Sequence, residues 1–363
     1  MHKINSKNER IKRRFFHWLK EANGRSDSTV QMAAKAIWLY EDFAKGADLA
    51  TFNADNAVAF KKSLFESNRK EPLALSTISG HTIHLRQFFK WLSQQSGYKS
   101  KITPDTADYL KLSKKEECMA RQTSPRNYPP LEHVVKLADS IEPKNEIASR
   151  DRALIAFTLL SGMRDQAIVT LPMGCFDKTK RAIDQNPRKG VKTKFSKLIP
   201  TALFPFDEKL LDYFLQWHSH LESKGFGSQA PLFPHAKAER GTDGLSFESA
   251  TEVEPVFWQG TGRMREIFKK RSQEAALPYF PPHSYRHLAQ DLAMKSCRTG
   301  EQIKAVSQNL GHEHIATTLS AYGTLSPERL SQVVGSLKPS GTPTNTAEST
   351  LVKIQELLGN KML

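Results

Sequence analysis

Between Pro281 and Tyr322 the chain concentrates side chains that handle anions and protons: His283, Arg286, His287, His312, His314 and Tyr322. His283, Arg286 and His287 stand at i, i+3 and i+4, so a helix opened by Pro281 and Pro282 carries all three on one face. Free N–H groups at such a start, with a guanidinium beside them, suit a phosphate, because Arg can hold two of its oxygens at once. Tyr285 falls about 200° around the helix from His283 and belongs to packing. Gly311 closes the preceding helix, Glu301 to Leu310, as a C′ glycine and presents His312 at the turn. Tyr322 follows on the short helix ATTLSAYG. It is either a structural tyrosine or a nucleophile that takes a phosphoryl group as a phosphotyrosine.

A metal site competes for the same histidines. His283 and His287 have zinc-ligand spacing, and His312 with His314 forms an HxH. Against it, Ser284 follows His283 where an HExxH motif places its glutamate, and Arg286 on the same face repels a divalent cation. The expectation is therefore an anion site without metal.

The elements that must position these groups are mostly helical. Lys and Arg number 53 against 38 Asp and Glu in 363 residues, a formal charge of +15 and a pI near 9.6. A large polyanion is the first partner such a surplus implies, nucleic acid or an anionic membrane surface. No run approaches a membrane span, and MHKINSKNERIKRRFF lacks the apolar core of a signal peptide, so the expected location is the cytoplasm. Cys118, Cys175 and Cys297 are scattered, which fits a reducing compartment and a packing role.

Residues 7–22 read as a basic amphipathic helix, either solvated or touching DNA phosphate or a partner. Four helices follow: one opening at Ser26, then Asn53–Glu66, Ser76–Gln95 and Asp105–Glu117. His81, His84 and Arg86 on the third are core or surface residues, with DNA contact as the alternative. ARQTSPRNYPP, residues 120–130, reads as an interdomain linker. Beyond it come LEHVVKLADSI and DRALIAFTLLSGMR, helical, the latter stopping at Gly162; then β-capable runs through residue 200; then the helix EKLLDYFLQWHSHLES. Residues 225–262 read as a long loop or insertion without assigned structure. Helices at Arg263–Glu274, His283–Ser296 and Glu301–Leu310 complete the unit, and a linker leads to the amphipathic TLVKIQELLGNKML.

The set HSYRH at 283–287, LGH at 310–312 and ATT up to Tyr322 resembles the C-terminal signature of the tyrosine site-specific recombinases, the phage-integrase family. LLSGMRDQAIVTLP is similar to the segment that delivers the family's first arginine, here Arg164, and KGVKTKFSKLIP to its lysine hairpin, with Lys192 in the lysine's place and Lys189 and Lys194 as competitors. The fold this implies is mainly α with a small β-sheet: a basic N-terminal helix (1–24), a helical, SAM-like core-binding DNA-binding domain (25–119), a linker (120–130), an α+β catalytic domain (131–336) and a tail with a docking helix (337–363). The activity it implies is site-specific cutting and rejoining of duplex DNA, held in a C-shaped clamp, through a 3′-phosphotyrosyl link, without metal or ATP.

In that resemblance Tyr322 is the nucleophile, Arg164 and Arg286 hold the non-bridging oxygens, and Lys192 is the general acid. His283 assists Tyr322 as general base or hydrogen-bond partner, His312 donates to the phosphate, and His287 supports from behind. The implied assembly is a homo-tetramer on two synapsed sites, a dimer per site, with the C-terminal helix exchanged between subunits. Besides the competing lysines, the chain departs from the pattern in two further places. Ala167 stands where many members carry an acid three positions after the first arginine, with Asp165 nearer, and His312 to Tyr322 is one residue longer than the commonest spacing. A DNA-binding regulator that has lost chemistry is the alternative, and a type IB topoisomerase shares the same reaction.

Overall fold

The computed structural model describes residues 5–66, 72–121, 127–237, 239–240, 247–248 and 251–312. The chain divides into two units, Met1–Ser124 and Pro125–Leu363.

In the first unit α1 (Ser6–His17) starts where the Asn5 side chain accepts from the Lys7 and Asn8 amides, and it runs into a single π-helical stretch, Trp18–Ala22. Ile11, Phe15 and Leu19 are buried in the same cluster as the later helices. Phe15 meets Phe88 edge-on at 5.0 Å and Trp91 at 5.2 Å. The apolar face of the basic helix is thus one wall of this core, while Lys7, Arg10, Arg13 and Arg14 on its other face stay exposed. Its apolar stripe is short but aromatic, and each buried ring contributes on the order of 2 kcal/mol. Ser26 caps α2 (Asp27–Phe43) and Asn53 caps α3 (Ala54–Phe65), each through its side-chain oxygen. α4 (Leu75–Leu92) contributes Leu85, Phe88 and Phe89 to the core, with Phe89 stacked on Phe52. His81 is buried there and Arg86 pairs with Asp108 at 3.1 Å.

The helix expected over Asp105–Glu117 is broken. Pro104–Leu110 is 3-10 helical, Lys111 is extended, and α5 restarts at Lys114 and runs to Arg121. Ser113 and Glu116 explain the restart. The Ser113 amide and hydroxyl both donate to Glu116 Oε2 at 2.7 Å while the Glu116 amide donates to Ser113 Oγ at 3.2 Å, a reciprocal cap that competes successfully with continuation.

The second unit opens with α6 (Leu131–Asp139) and α7 (Glu146–Ser161). Twelve residues of α7 are buried, around its whole circumference, as befits a central helix. α8 (Asp165–Val169) follows, then the antiparallel sheet β1 (Phe176–Asp177), β2 (Ala182–Gln185) and β3 (Ile199–Ala202) in the order β1-β2-β3. The register pairs Phe176 with Ile183 and Gln185 with Ile199. α9 (Glu208–Ser223) lies on α7 through Phe214 and Phe157, ring centroids 4.7 Å apart. In the stretch left without structure by sequence, β4 (His235–Ala236) pairs with β7 (Val253–Glu254), and β5 (Glu239–Arg240) with β6 (Phe247–Glu248).

That stretch is tied to the core by charge. Arg150, with no exposed surface, donates through Nε and Nη2 to Asp151 Oδ1 and through Nη1 to the Pro234 carbonyl, and its guanidinium lies 5.5 Å from the Trp258 ring. Arg271, on α10 (Gly262–Glu274), donates twice to Asp151 Oδ2 at 2.7 and 2.9 Å. α11 (Pro282–Ser296) and α12 (Gly300–Asn309) end the described chain, the latter begun by a Thr299–Gln302 capping box. Cys175 is buried as expected, whereas Cys118 is exposed. No helix among the described residues is long and apolar enough to cross a membrane.

Candidate active site

Two glycines bring distant segments to one place. α7 stops at Gly162, whose φ of +57° few side-chain-bearing residues adopt, and a Cβ there would stand 2.9 Å from Leu310 Cδ2. α12 is followed by Gly311, φ +64°, where a Cβ would meet Ile199 Cδ1 at 2.5 Å. The end of α12 is stitched to β3 as well. Asn309 accepts from the Ala202 amide at 2.6 Å and donates to the Ala202 carbonyl at 3.0 Å, and its own carbonyl accepts from Thr201 Oγ1 at 3.0 Å. His312, the next residue but two, therefore leaves from a fixed point.

Arg286 occupies the junction. It is 5% exposed, and its Nη1 donates to the Gly162 carbonyl and its Nη2 to the Leu310 carbonyl, both at 2.6 Å. Nη2 also lies 3.0 Å from His312 Nε2. A guanidinium only donates, so His312 Nε2 is the acceptor and the neutral ring carries its proton on Nδ1. The Arg286 pKa is drawn down to about 9, first by burial and then by the positive charge of Arg164, with Asp165 opposing. It remains charged at neutral pH.

Arg164 sits in extended conformation just before α8, half-buried, with its pKa lowered by desolvation. Its carbonyl accepts from the Ala167 and Ile168 amides, but among the described residues its guanidinium makes no hydrogen bond. Two guanidinium groups thus lie near enough for the charge of one to act on the other, with no carboxylate among the described residues hydrogen-bonded to either.

His283 projects from the first turn of α11, 52% exposed, with Nδ1 3.9 Å from Asp165 Oδ1. Its ring meets that of His287 edge-on at 4.9 Å. Asp165 is a residue that spacing rules gave no role. Its Oδ1 is buried without a hydrogen-bond partner, and burial raises its pKa against the opposing charges of His283, Arg265 and Arg286. Its position directly after Arg164 was the available signal. Tyr285 is buried against Phe268 at 4.9 Å, in packing as expected. No group of three His, Cys, Asp or Glu that could hold a metal ion occurs among the described residues.

The three competing lysines differ in what they touch. Lys189 pairs with Asp184 at 2.9 Å, and the Lys194 ammonium lies over the Phe195 ring at 5.0 Å. The Lys192 amide donates to Thr170 Oγ1 at 2.9 Å, which anchors the loop to the residue that ends α8, the helix that Arg164 opens. No sequence rule pointed to Thr170, since the contact spans 22 positions. Lys192 lies in the long β2–β3 connection, not on a strand. Tyr322 and the C-terminal helix lie outside the described residues.

Residues 130–329, more than half of the chain, match the phage integrase family. The chain belongs to that family. As a phage integrase family member it is a tyrosine-recombinase-type DNA strand-exchange enzyme. Solved structures share its fold. The lambda integrase dimer bound to a COC′ core site is 13% identical over 92% of this chain and 99% of that one, with a TM-score of 0.57. The Tn1549 transposon integrase in complex with circular intermediate DNA is 14% identical over 89% and 98%, TM-score 0.57. The XerH recombinase in its post-cleavage complex with a palindromic difH substrate is 17% identical over 87% and 82%, TM-score 0.56. No match is found among curated proteins.

Proposed function

We propose that this integrase-family protein is a site-specific recombinase that cuts and rejoins duplex DNA through a 3′-phosphotyrosyl intermediate, with neither metal nor ATP. The observation that carries the reading is the Arg164–Arg286 pair: two neighbouring positive charges, one almost wholly buried, with no carboxylate among the described residues hydrogen-bonded to either. Burying like charges together is costly unless an anion completes them. A phosphodiester fits, since its two non-bridging oxygens match two guanidinium donors and gain charge in the pentavalent transition state.

The Tyr322 oxygen forms the new bond to phosphorus and its proton passes to His283. The bond from phosphorus to the 5′ oxygen breaks, and that oxygen takes a proton from Lys192. His312 donates to a phosphate oxygen through Nδ1, its Nε2 being held by Arg286. His287 supports His283. Attack by a partner strand's 5′-hydroxyl on the phosphotyrosine reverses the step and restores Tyr322, so one phosphodiester replaces another without external energy. The substrate is double-stranded DNA, and the assembly is a homo-tetramer on two synapsed sites that exchange the C-terminal helix.

The test is covalent adduct formation on nicked suicide duplexes cut from DNA flanking the gene. The wild type forms an adduct, Tyr322→Phe forms none, and Arg286→Lys loses about two to three orders of magnitude, as expected when a transition-state donor is removed. An adduct that persists in Tyr322→Phe rejects the nucleophile. Tight DNA binding with no adduct from the wild type replaces the reading with a DNA-binding regulator.

A further inference from the structure

The β2–β3 connection carries an aromatic that the described fold leaves largely uncovered. Phe195 is 73% exposed, and Leu198, three residues on, is 61% exposed. Its backbone is left-handed, φ 60° and ψ 25°, and Ser196 follows at φ 51°. Two consecutive left-handed residues that are not glycine are strained, and strain is retained where a side chain is being presented. The Thr193 hydroxyl donates to the Lys197 carbonyl at 2.6 Å and closes this turn. The Lys194 and Lys197 ammonium groups lie 5.0 and 5.9 Å from the ring centroid. An apolar ring bracketed by two cations combines what a nucleobase and its flanking phosphates offer in reverse.

Position narrows the partner. If Lys192 reaches the cleaved phosphate, Phe195 lies three residues further on, and three residues span at most about 10 Å. That backbone span equals about three base steps along a duplex, and the two side chains extend it. We infer that Phe195 stacks on, or wedges between, DNA bases within a few steps of the cut, with Lys194 and Lys197 on the adjoining phosphates. Phe195 is then a positioning residue that holds a distorted base step under Lys192. The inference rests on the recombinase reading above.

Two readouts test it in the full-length protein. In Phe195→Trp, emission in excess of the wild type is quenched when a generic DNA duplex is added and unchanged with heparin, a polyanion without bases. On the suicide duplexes, Phe195→Ala lowers adduct yield five- to hundredfold, about the factor of one aromatic–base stack. Phe195→Tyr and Phe195→Trp restore it, Phe195→Leu does not, and the salt dependence of binding is unchanged, because no charge is lost. Excess emission from Phe195→Trp that is indifferent to DNA, or equally changed by heparin, overturns the proposal, as does full adduct yield in Phe195→Ala. An excess emission already blue-shifted before DNA is added assigns the ring to a protein contact and likewise overturns it. If the wild type gives no adduct, the recombinase reading fails, while the fluorescence arm still decides whether the ring meets bases.

Discussion

Gly311→Ala separates what backbone conformation demands from what packing demands. At φ +64° an alanine costs about 1–2 kcal/mol in strain alone. Its Cβ would also lie 2.5 Å from Ile199 Cδ1, closer than non-bonded carbon atoms approach, and a tight 3.1 Å from Cγ1 and Cγ2. Overpacking of this kind adds about 1–3 kcal/mol. Gly190 is the internal control: its φ is +91°, but nothing lies within 4 Å of a Cβ there. At about 3 °C per kcal/mol for a unit of this size, Gly190→Ala lowers Tm by roughly 5 °C and Gly311→Ala by roughly 10 °C. Circular dichroism melts measure both. Ile199→Val removes Cδ1 and recovers part of the Gly311→Ala loss, so the pair is non-additive. Adduct yield falls with Gly311→Ala as well, since His312 is displaced. Equal Tm losses in the two glycine variants, or strict additivity with Ile199→Val, would refute the packing argument.

Asp151→Asn leaves Arg150, with no exposed surface, and Arg271 short of their shared carboxylate, and it costs about 3–5 kcal/mol in urea unfolding. A loss below about 1 kcal/mol would mean that the network is neutral. Ser113→Ala removes the reciprocal cap of α5 and costs about 1 kcal/mol, read as a lower midpoint for the first unit. His133 is buried and desolvation lowers its pKa below the ordinary 6.5, so below pH 6.5 the unfolded chain binds a proton that the folded one refuses. Stability is therefore full above that value and falls as pH drops from 6.5 towards the lowered pKa. Melts at about pH 7.5 and 5.5, either side of the ordinary histidine value, show a decrease that is smaller in His133→Leu. Identical slopes in the two proteins would remove His133 as a cause.

Local signals were legible in the sequence where one residue settles the geometry. Gly162 ends α7, Pro282 opens α11, Gly311 follows α12, and the i, i+3, i+4 face of α11 places Arg286 and His287 with His283 as spacing required. Competition between local signals was harder. Periodicity over residues 105–117 suggested one helix, and the Ser113–Glu116 cap divided it. What periodicity cannot carry is contact at long separation. Arg271 finds Asp151 across 120 positions, Arg286 finds Gly162 across 124, and Phe15 finds Phe88, which packs the apolar face of the basic helix into the core. Asp165 went unassigned for the same reason, because its meaning comes from His283 on another helix.

Arg286 grips the carbonyls that close two helices, whereas Arg164 holds no partner in the described fold. The two arginines would consequently age differently in a lineage that abandoned strand exchange. The first would be kept by selection for a foldable chain long after catalysis had gone. The second would be released to drift at once, so a missing Arg164 counterpart is the earlier mark of a retired enzyme.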